Sequence, residues 1–465
     1  MKQLGSSEAI TNIKDLCEKL EREKMVGHIT RQVRSEYEAM AVMKKSKGMI
    51  PLRFYRIDHY PYEMWSGFGG TRELIAKSIG TDWYNLRHCL SRALLEADSG
   101  HTEYVPHPLC QQNIVTGEID LESYFPVLRH YEKDNGRFVI SGILVVKNKD
   151  GSRQYTSVRR MSYLGKNRMT IMAGTQSMQS LMEEHVRTKE PIDIALMFGV
   201  VPAVVLSSQI NSGLFDVDKM QVAGALLNTT LGIAKCKTVA LDVLADAQVV
   251  LEGKWYPWIL EEEGPFGEIA YYYGTPTKLP VCEFQCMTYQ NDPVWYSFFP
   301  SGSEEKTPMA ISREMNLYQT IAMTVPGVKE VHLTPGGAGR FHAVVQIKKH
   351  DETDGKQAAL AAFASDKDLK HVVVVDEDVD IWDMQEVEWA IATRVQFDQD
   401  VFVMSGMSGT PLDASFTVGN KEAKAGIDAT KPLGHSKFVR TAVPGEENIC
   451  LEDYLENLNT GGLFR

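Results

Sequence analysis

The sequence predicts a mixed α/β chain folded as three units, the middle one a barrel or a strongly curved sheet. Three observations carry this reading. The 465 residues exceed one hydrophobic core at about 150 residues per domain. The middle stretch is rich in β-branched runs and poor in long helical patterns. Beyond residue 340, strand and helix patterns alternate, as they do in layered α/β sheets.

The elements follow in order. Ile13, Leu16 and Leu20 share one helical face with charges between them. Residues 51–70, dense in aromatics, Pro and Gly, read as strand and loop, and Thr71 then opens a short helix that ends near Gly80. Pro106 and Pro108 punctuate the chain and set a boundary near 110. In the middle unit, Phe138 to Lys147 reads as a strand behind an Asp134-Asn135-Gly136 turn. Ile192 to Phe198 and Gln248 to Leu251 read as further strands, with a helix over Phe215 to Leu227. In the third unit, strands are expected at Phe341 to Lys348 and His371 to Val375, and helices at Gly355 to Ser365 and Met384 to Arg394. A last helical pattern, LEDYLENL, follows Glu446.

Composition narrows the function. The hydrophobic and charged fractions, 43% and 24%, are those of an ordinary globular chain and exclude bulk disorder. With 49 Lys+Arg against 61 Asp+Glu the net charge is −12, which disfavours a nucleic-acid partner. A local positive field could still hold a cofactor phosphate. The seven cysteines are odd in number and form no C-x-x-C, so neither a disulfide framework nor a zinc ribbon is expected. There is no run of 18 apolar residues and no signal-like N-terminus, so the expectation is a cytoplasmic protein without a membrane span.

Several motifs invite chemistry. Pro335-Gly336-Gly337-Ala338-Gly339 lacks both the Walker Lys-Ser/Thr and the dinucleotide spacing, so it reads as a turn. Asp376-Glu377-Asp378-Val379-Asp380 lacks the glycine and glutamate of a calcium loop and reads as a strand end. No H-E-x-x-H or G-x-S-x-G occurs. The segment from Glu261 to Glu268 differs. Its Gly264-Pro265 and Gly267 favour turns, so Glu263 and Glu268 could face one cavity among aromatics. Two carboxylates in unlike surroundings are what acid–base catalysis uses, although a charged surface loop is the plainer reading. Arg159-Arg160, in a strand-like stretch, could clamp a carboxylate or sit on an edge strand.

Taken in order, these pieces resemble one family. GGTRELIAKSIG, DNGRFVISGILVVK, KCKTVALDVLADAQVVLEG, EEGPFGEIAYYYG and VVVVDEDVDIWDMQEVEWAIATR, with the later LDAS and KAGIDAT, are similar to the successive segments of the UbiD-type decarboxylases, which use prenylated flavin mononucleotide (prenylated FMN). The resemblance covers nearly the whole chain. It implies an α/β (α+β), three-domain architecture, with a central split β-barrel flavin-binding domain at 111–310. That domain would be flanked by α/β domains at 1–110 and 311–465, the last being the one that oligomerises.

The resemblance also implies a function and a site. The family's Glu–Arg–Glu network falls on Arg160, Glu263 and Glu268. The implied reaction is reversible decarboxylation of an aromatic or α,β-unsaturated carboxylic acid through a covalent prenylated-flavin adduct. Glu268 would deliver the proton, and Arg160 and Glu263 would bind the carboxylate and tune it. The family's three metal-ligand positions fall on Tyr155, on Ser177 (or, with the gap placed differently, Gln176) and on Gln248, all neutral. That set lacks the anionic carboxylate and imidazole of a divalent site, so no divalent metal is assigned and at most a monovalent cation is. Tyr155, Gln176, Ser177 and Gln248 could instead hydrogen-bond the flavin phosphate, with Lys424 supplying positive charge. The implied partners are a prenyltransferase that supplies the flavin and copies of the chain itself, as a dimer or hexamer. The alternative is a cofactor-altered or non-catalytic subunit of a larger carboxylase or decarboxylase. Aromatic residues at Tyr271, Tyr272, Tyr273, Phe298 and Phe299 would line the substrate pocket.

Overall fold

The computed structural model describes residues 9–450 apart from 99, 149–150, 175, 212–215 and 417–420, together with 454. The chain opens with α1 (Ile13–Arg22), capped by the Asn12 side chain and burying Ile13, Leu16, Cys17 and Leu20. α2 (Arg72–Ile79) begins at a Thr71 cap and ends at left-handed Gly80, the two signals its sequence displays. Three short strands of this region, Gly27–Ile29, Leu52–Phe54 and Met64–Ser66, form a sheet whose fourth strand, Trp295–Tyr296, returns from the end of the middle unit.

The middle unit is a closed antiparallel barrel of six strands: β1 (Phe138–Lys147), β2 (Gln154–Gly165), β3 (Arg168–Thr170), β4 (Ile192–Phe198), β5 (Val249–Glu263) and β6 (Thr277–Tyr289). Their order is β5-β4-β1-β2-β3-β6, closed by β5 against β6. α3 (Gln176–Thr188) lies between β3 and β4 in sequence, and α4 (Pro202–Ser208) and α5 (Lys219–Leu227) lie between β4 and β5. β1 and β4 have the expected bounds. β5 runs on to Glu263 rather than stopping at Leu251, because two register shifts let one bent strand follow β6 around the barrel. α5 starts at Lys219, where Asp218 caps it; Phe215 lies outside the described residues.

α6 (Ser303–Thr324) crosses residue 310 without a break, so the second and third units are joined by a 22-residue helix. The third unit is a five-stranded sheet, β7 (Val328–Leu333), β8 (His342–Ile347), β9 (His371–Asp376), β10 (Val401–Met407) and β11 (Glu422–Asp428), in the order β7-β8-β9-β11-β10. α7 (Asp354–Ser365) and α8 (Met384–Arg394) cover its two faces. Val372 and Val374 point to the α7 core and Val373 and Val375 to the α8 core, the alternation of a doubly covered strand. The last expected helix lies almost wholly outside the described residues. No helix among the described residues is long and apolar enough to cross a membrane.

Candidate active site

A bulge aims the central arginine. Across from Arg160 on β2, the register of β1 slips so that Ile140 and Ser141 face one residue. Arg160 Nη1 donates to Glu268 Oε1 at 2.6 Å and Nη2 to Glu263 Oε1 at 2.9 Å. Its guanidinium lies over the Phe266 ring, 4.5 Å from the centroid. Burial alone would weaken Arg160's hold on its proton; the two carboxylates outweigh it and raise the pKa.

The two acids differ as the sequence expectation required. Glu263, the last residue of β5, is 2% exposed, and its other oxygen accepts from Thr170 Oγ1. Glu268 stands on the following loop with 21% of its side chain exposed. Asp134 fixes that loop: its Oδ1 accepts from Gly267 N, while Asn135 N donates to Pro265 O. Ser301 Oγ donates to the Glu268 carbonyl at 2.6 Å. The Asp134-Asn135-Gly136 turn, expected only to precede β1, therefore also buttresses the loop that carries Glu268.

Beside the arginine lies an apolar cleft, lined by Ile143, Val158, Gly199, Val205, Phe298 and Glu304. Val158 is two residues from Arg160 on β2, hence on the same face. Two acids here went unread in the sequence, both in the first turn of α6. Glu304 is fully buried; it accepts from Gly67 N, Gly69 N and the Tyr296 hydroxyl, and burial pushes it up to about 7 against those donors. Glu305 accepts from Ser301 N at 2.6 Å, and burial and then Glu268 raise its carboxyl while Arg160 lowers it. The visible signal was a pair of acids at a helix start, which reads equally well as dipole stabilisation.

The other expected contacts scatter. Tyr155 is half-buried on β2 and packs against the barrel core. Gln176 and Ser177 form the first turn of α3, and Thr175 lies outside the described residues. Gln248 is fully buried; its amide nitrogen donates to Asn12 Oδ1 and its oxygen accepts from Val294 N, so it ties α1 to the barrel. Lys424 needs the same correction. It is 1% exposed on β11, and its ammonium is spent on the carbonyls of Lys367 and Leu369 and on Glu422. A lysine so enclosed offers no free donor to a phosphate. Tyr271, Tyr272 and Tyr273 are exposed, whereas Phe298 and Phe299 are buried. Among the described residues, no group of three His, Cys, Asp or Glu side chains could hold a metal ion. Asp376 and Asp378 pair with Arg394, which leaves them a structural role.

The barrel clamps one arginine between a buried and a half-open carboxylate beside an apolar cleft, an arrangement of unlike acids that can serve acid–base chemistry. Residues 103–303 match the family described as 3-octaprenyl-4-hydroxybenzoate carboxy-lyase Rift-related domain, and residues 306–429 match the corresponding C-terminal domain. The chain is 31% identical over 417 residues to the anhydromevalonate phosphate decarboxylase of Methanothermobacter thermautotrophicus, spanning 88% of this chain and 95% of that one. Its fold matches the UbiD-class enzyme HmfF from Pelotomaculum thermopropionicum, solved in complex with FMN, with a TM-score of 0.91 at 35% identity over 96% of this chain and 100% of that one. An evolved dimeric form of HmfF, solved with prFMN, matches with a TM-score of 0.86 at 34% identity over 96% and 100%. The chain belongs to the UbiD family of carboxy-lyases.

Proposed function

We propose that this chain is a reversible decarboxylase of an aromatic or α,β-unsaturated carboxylic acid that works with prenylated FMN. The observation that carries the proposal is Arg160 shared between Glu263 and Glu268 beside an apolar cleft. The flavin's phosphate would have candidate partners in two neighbouring cations, half-buried Arg159 on β2 and buried Lys219 at the start of α5. The flavin-bound HmfF structures support the same cofactor. When bound, prenylated flavin supplies the electron sink for loss of carbon dioxide.

The residues of this chain would do the rest. Arg160 would hold the substrate carboxylate beside Glu268 until it leaves. Glu268, half-open and on a braced loop, would then pass a proton to the carbon that lost carboxylate. Glu263, buried and bonded by Thr170, would keep Arg160 aimed and charged. Phe266, under the guanidinium, would exclude water from the same side. The named relatives add phosphorylated unsaturated acids to the substrates worth testing. A homo-oligomer, dimer or hexamer, formed through the C-terminal unit belongs to the proposal; exposed Phe397 and Val403 on that unit support it, and light scattering after gel filtration reads it.

The test is production with a flavin prenyltransferase, followed by absorbance spectroscopy and deuterium exchange on a panel of aromatic, aliphatic and phosphorylated unsaturated acids. Flavin absorbance with exchange that Glu268→Gln abolishes is expected. Absence of exchange on every acid, together with co-purification of a second family member, would favour the non-catalytic subunit instead.

A further inference from the structure

Buried cations in this chain come with acids. Arg394 pairs with Asp376 and Asp378, Arg313 with Asp366 and Asp368, and Arg87 with Glu330. Buried Lys306 and Lys219 and half-buried Arg159 lack an ion pair among the described residues; Lys306 lies over the Tyr271 ring, and Lys219 and Arg159 are neighbours. Lys219, 4% exposed at the start of α5, donates among the described residues only to the Ser208 carbonyl, at 2.9 Å. Burial pushes its ammonium down to about 7, and Arg159 pushes the same way. Among the described residues, Arg159 on β2 has a buried Nε without a partner, and its Nη2 reaches only the Met178 sulfur. Its Nη1 lies against Gly174, where a Cβ would stand 3.1 Å away. Among the described residues no carboxylate comes within ion-pair distance of either cation. A chain with 61 acidic residues has no general shortage of partners. Two like charges held close together, one buried and one half-buried, repel each other unless an anion joins them.

The place fits a ligand that also reaches Arg160. Arg159 and Arg160 are consecutive, so their side chains leave β2 on opposite faces. β2 pairs with β3 only from Tyr163 onward, so its outer edge over residues 156–161 has no strand partner among the described residues. A ligand can pass from one face to the other across that edge.

We propose that Arg159 and Lys219 form a phosphate-monoester site, filled by the phosphate of the flavin and needing no divalent metal. The two cations and the open backbone edge of β2 replace the charge of a metal whose usual ligand positions hold Tyr155, Ser177 and Gln248. Assignment to the flavin rests on the function proposed above; the presence of a phosphate site does not.

The test uses the purified full chain in EDTA, titrated with FMN and with riboflavin by fluorescence quenching, and melted with and without inorganic phosphate. FMN is expected to bind at least tenfold tighter than riboflavin. Lys219→Met and Arg159→Met should each weaken FMN at least tenfold and leave riboflavin unchanged, while Lys219→Arg should retain most of the FMN affinity. Without ligand, Lys219→Met should melt no lower than wild type, because a purely structural lysine would leave a hole and a buried unpaired charge would not. Equal binding of FMN and riboflavin, equal loss of both in the variants, or release of FMN by EDTA would overturn the assignment to the flavin. If neither flavin binds, the cofactor reading fails by itself, and inorganic phosphate still tests the site. A phosphate-induced rise in melting temperature in wild type but not in Lys219→Met supports the site with a phosphorylated substrate as its source, and no rise in wild type overturns it.

Discussion

Glu314 is the residue whose loss should most damage the joint that carries α6 to the site. It is buried in α6 with 1% of its side chain exposed, and it receives Arg72 from α2, His332 Nδ1 at 3.3 Å and Leu333 N at 2.8 Å. Burial by itself would raise its carboxyl, but Arg72 and His332 outweigh it and hold it at about 2, against an ordinary 4.5. At about 1.4 kcal/mol per unit, that shift corresponds to about 3 kcal/mol of stability. The folded value is depressed, so this stability is fully present above pH 4.5 and is lost as pH falls toward 2. Glu314→Gln keeps an acceptor for Leu333 but leaves Arg72 enclosed without an anion, at a cost of about 3–5 kcal/mol. Trp382 reports the contact, with Arg72 4.4 Å from its ring centroid and the His332 ring 4.3 Å away. Urea unfolding followed by tryptophan fluorescence should show a loss of that size at pH 7 that shrinks toward pH 2. A loss below about 1 kcal/mol, the scale of an exposed pair, or one that does not change with pH, would refute the reasoning.

Further expectations follow from the same geometry. Arg160→Lys and Glu268→Gln should each lower turnover by about 10²–10⁴ in a decarboxylation or exchange assay, since an ammonium cannot fork to both acids and an amide cannot give the proton. Arg160→Met should also lower stability by about 3–5 kcal/mol, because Glu263 is left buried alone; an unchanged melting temperature would contradict this. Glu304, raised to about 7 by burial, should favour the folded state fully below pH 4.5 and lose that contribution as pH rises through 7. Melting curves against pH should show the decline, and Glu304→Gln should flatten it. Gly67 sits at φ +87 with a built Cβ 2.1 Å from the Ile50 carbonyl, so Gly67→Ala should destabilise by at least about 1–3 kcal/mol, read from soluble yield and melting.

How far the sequence could be read depended on whether a signal was local. β1, β4 and α8 have the expected bounds because their hydrophobic runs and caps are self-contained. β5 was read too short because its last twelve residues mix buried and half-buried aromatics with charged and exposed positions and show no continuous apolar run; pairing with β6, distant in sequence, makes them a strand. The residues alone left the Glu263–Glu268 loop ambiguous, with a charged surface loop the plainer reading; the resemblance joined Arg160 to it, and the structure brings the three side chains together. Glu304 and Glu305 were not legible, because nothing local distinguishes an acid that caps a helix from one that faces a cleft. Lys424 and Gln248 misled in the opposite way. The resemblance placed both at the cofactor phosphate, but the fold spends both on its own backbone and side chains.

The phosphate question shows what one more step of strand geometry would have given. Tyr155 and Arg160 are five residues apart on one strand, and five is odd, so their side chains leave opposite faces. The structure agrees: Tyr155 packs with the barrel core, while Val158, on the face of Arg160, packs against the core shared with α4 and α5. Whatever is bound at the position of Tyr155 is therefore behind the sheet when seen from the acid–base site. One molecule can touch both only by passing over the open edge of β2. Arg159 has the same parity as Tyr155 and stands nearest that crossing, with Lys219 beside it. Tyr155 and Arg159 thus fall on the same side of one strand, which is the arrangement expected if Arg159 supplies positive charge where the family's metal-ligand position holds a neutral tyrosine.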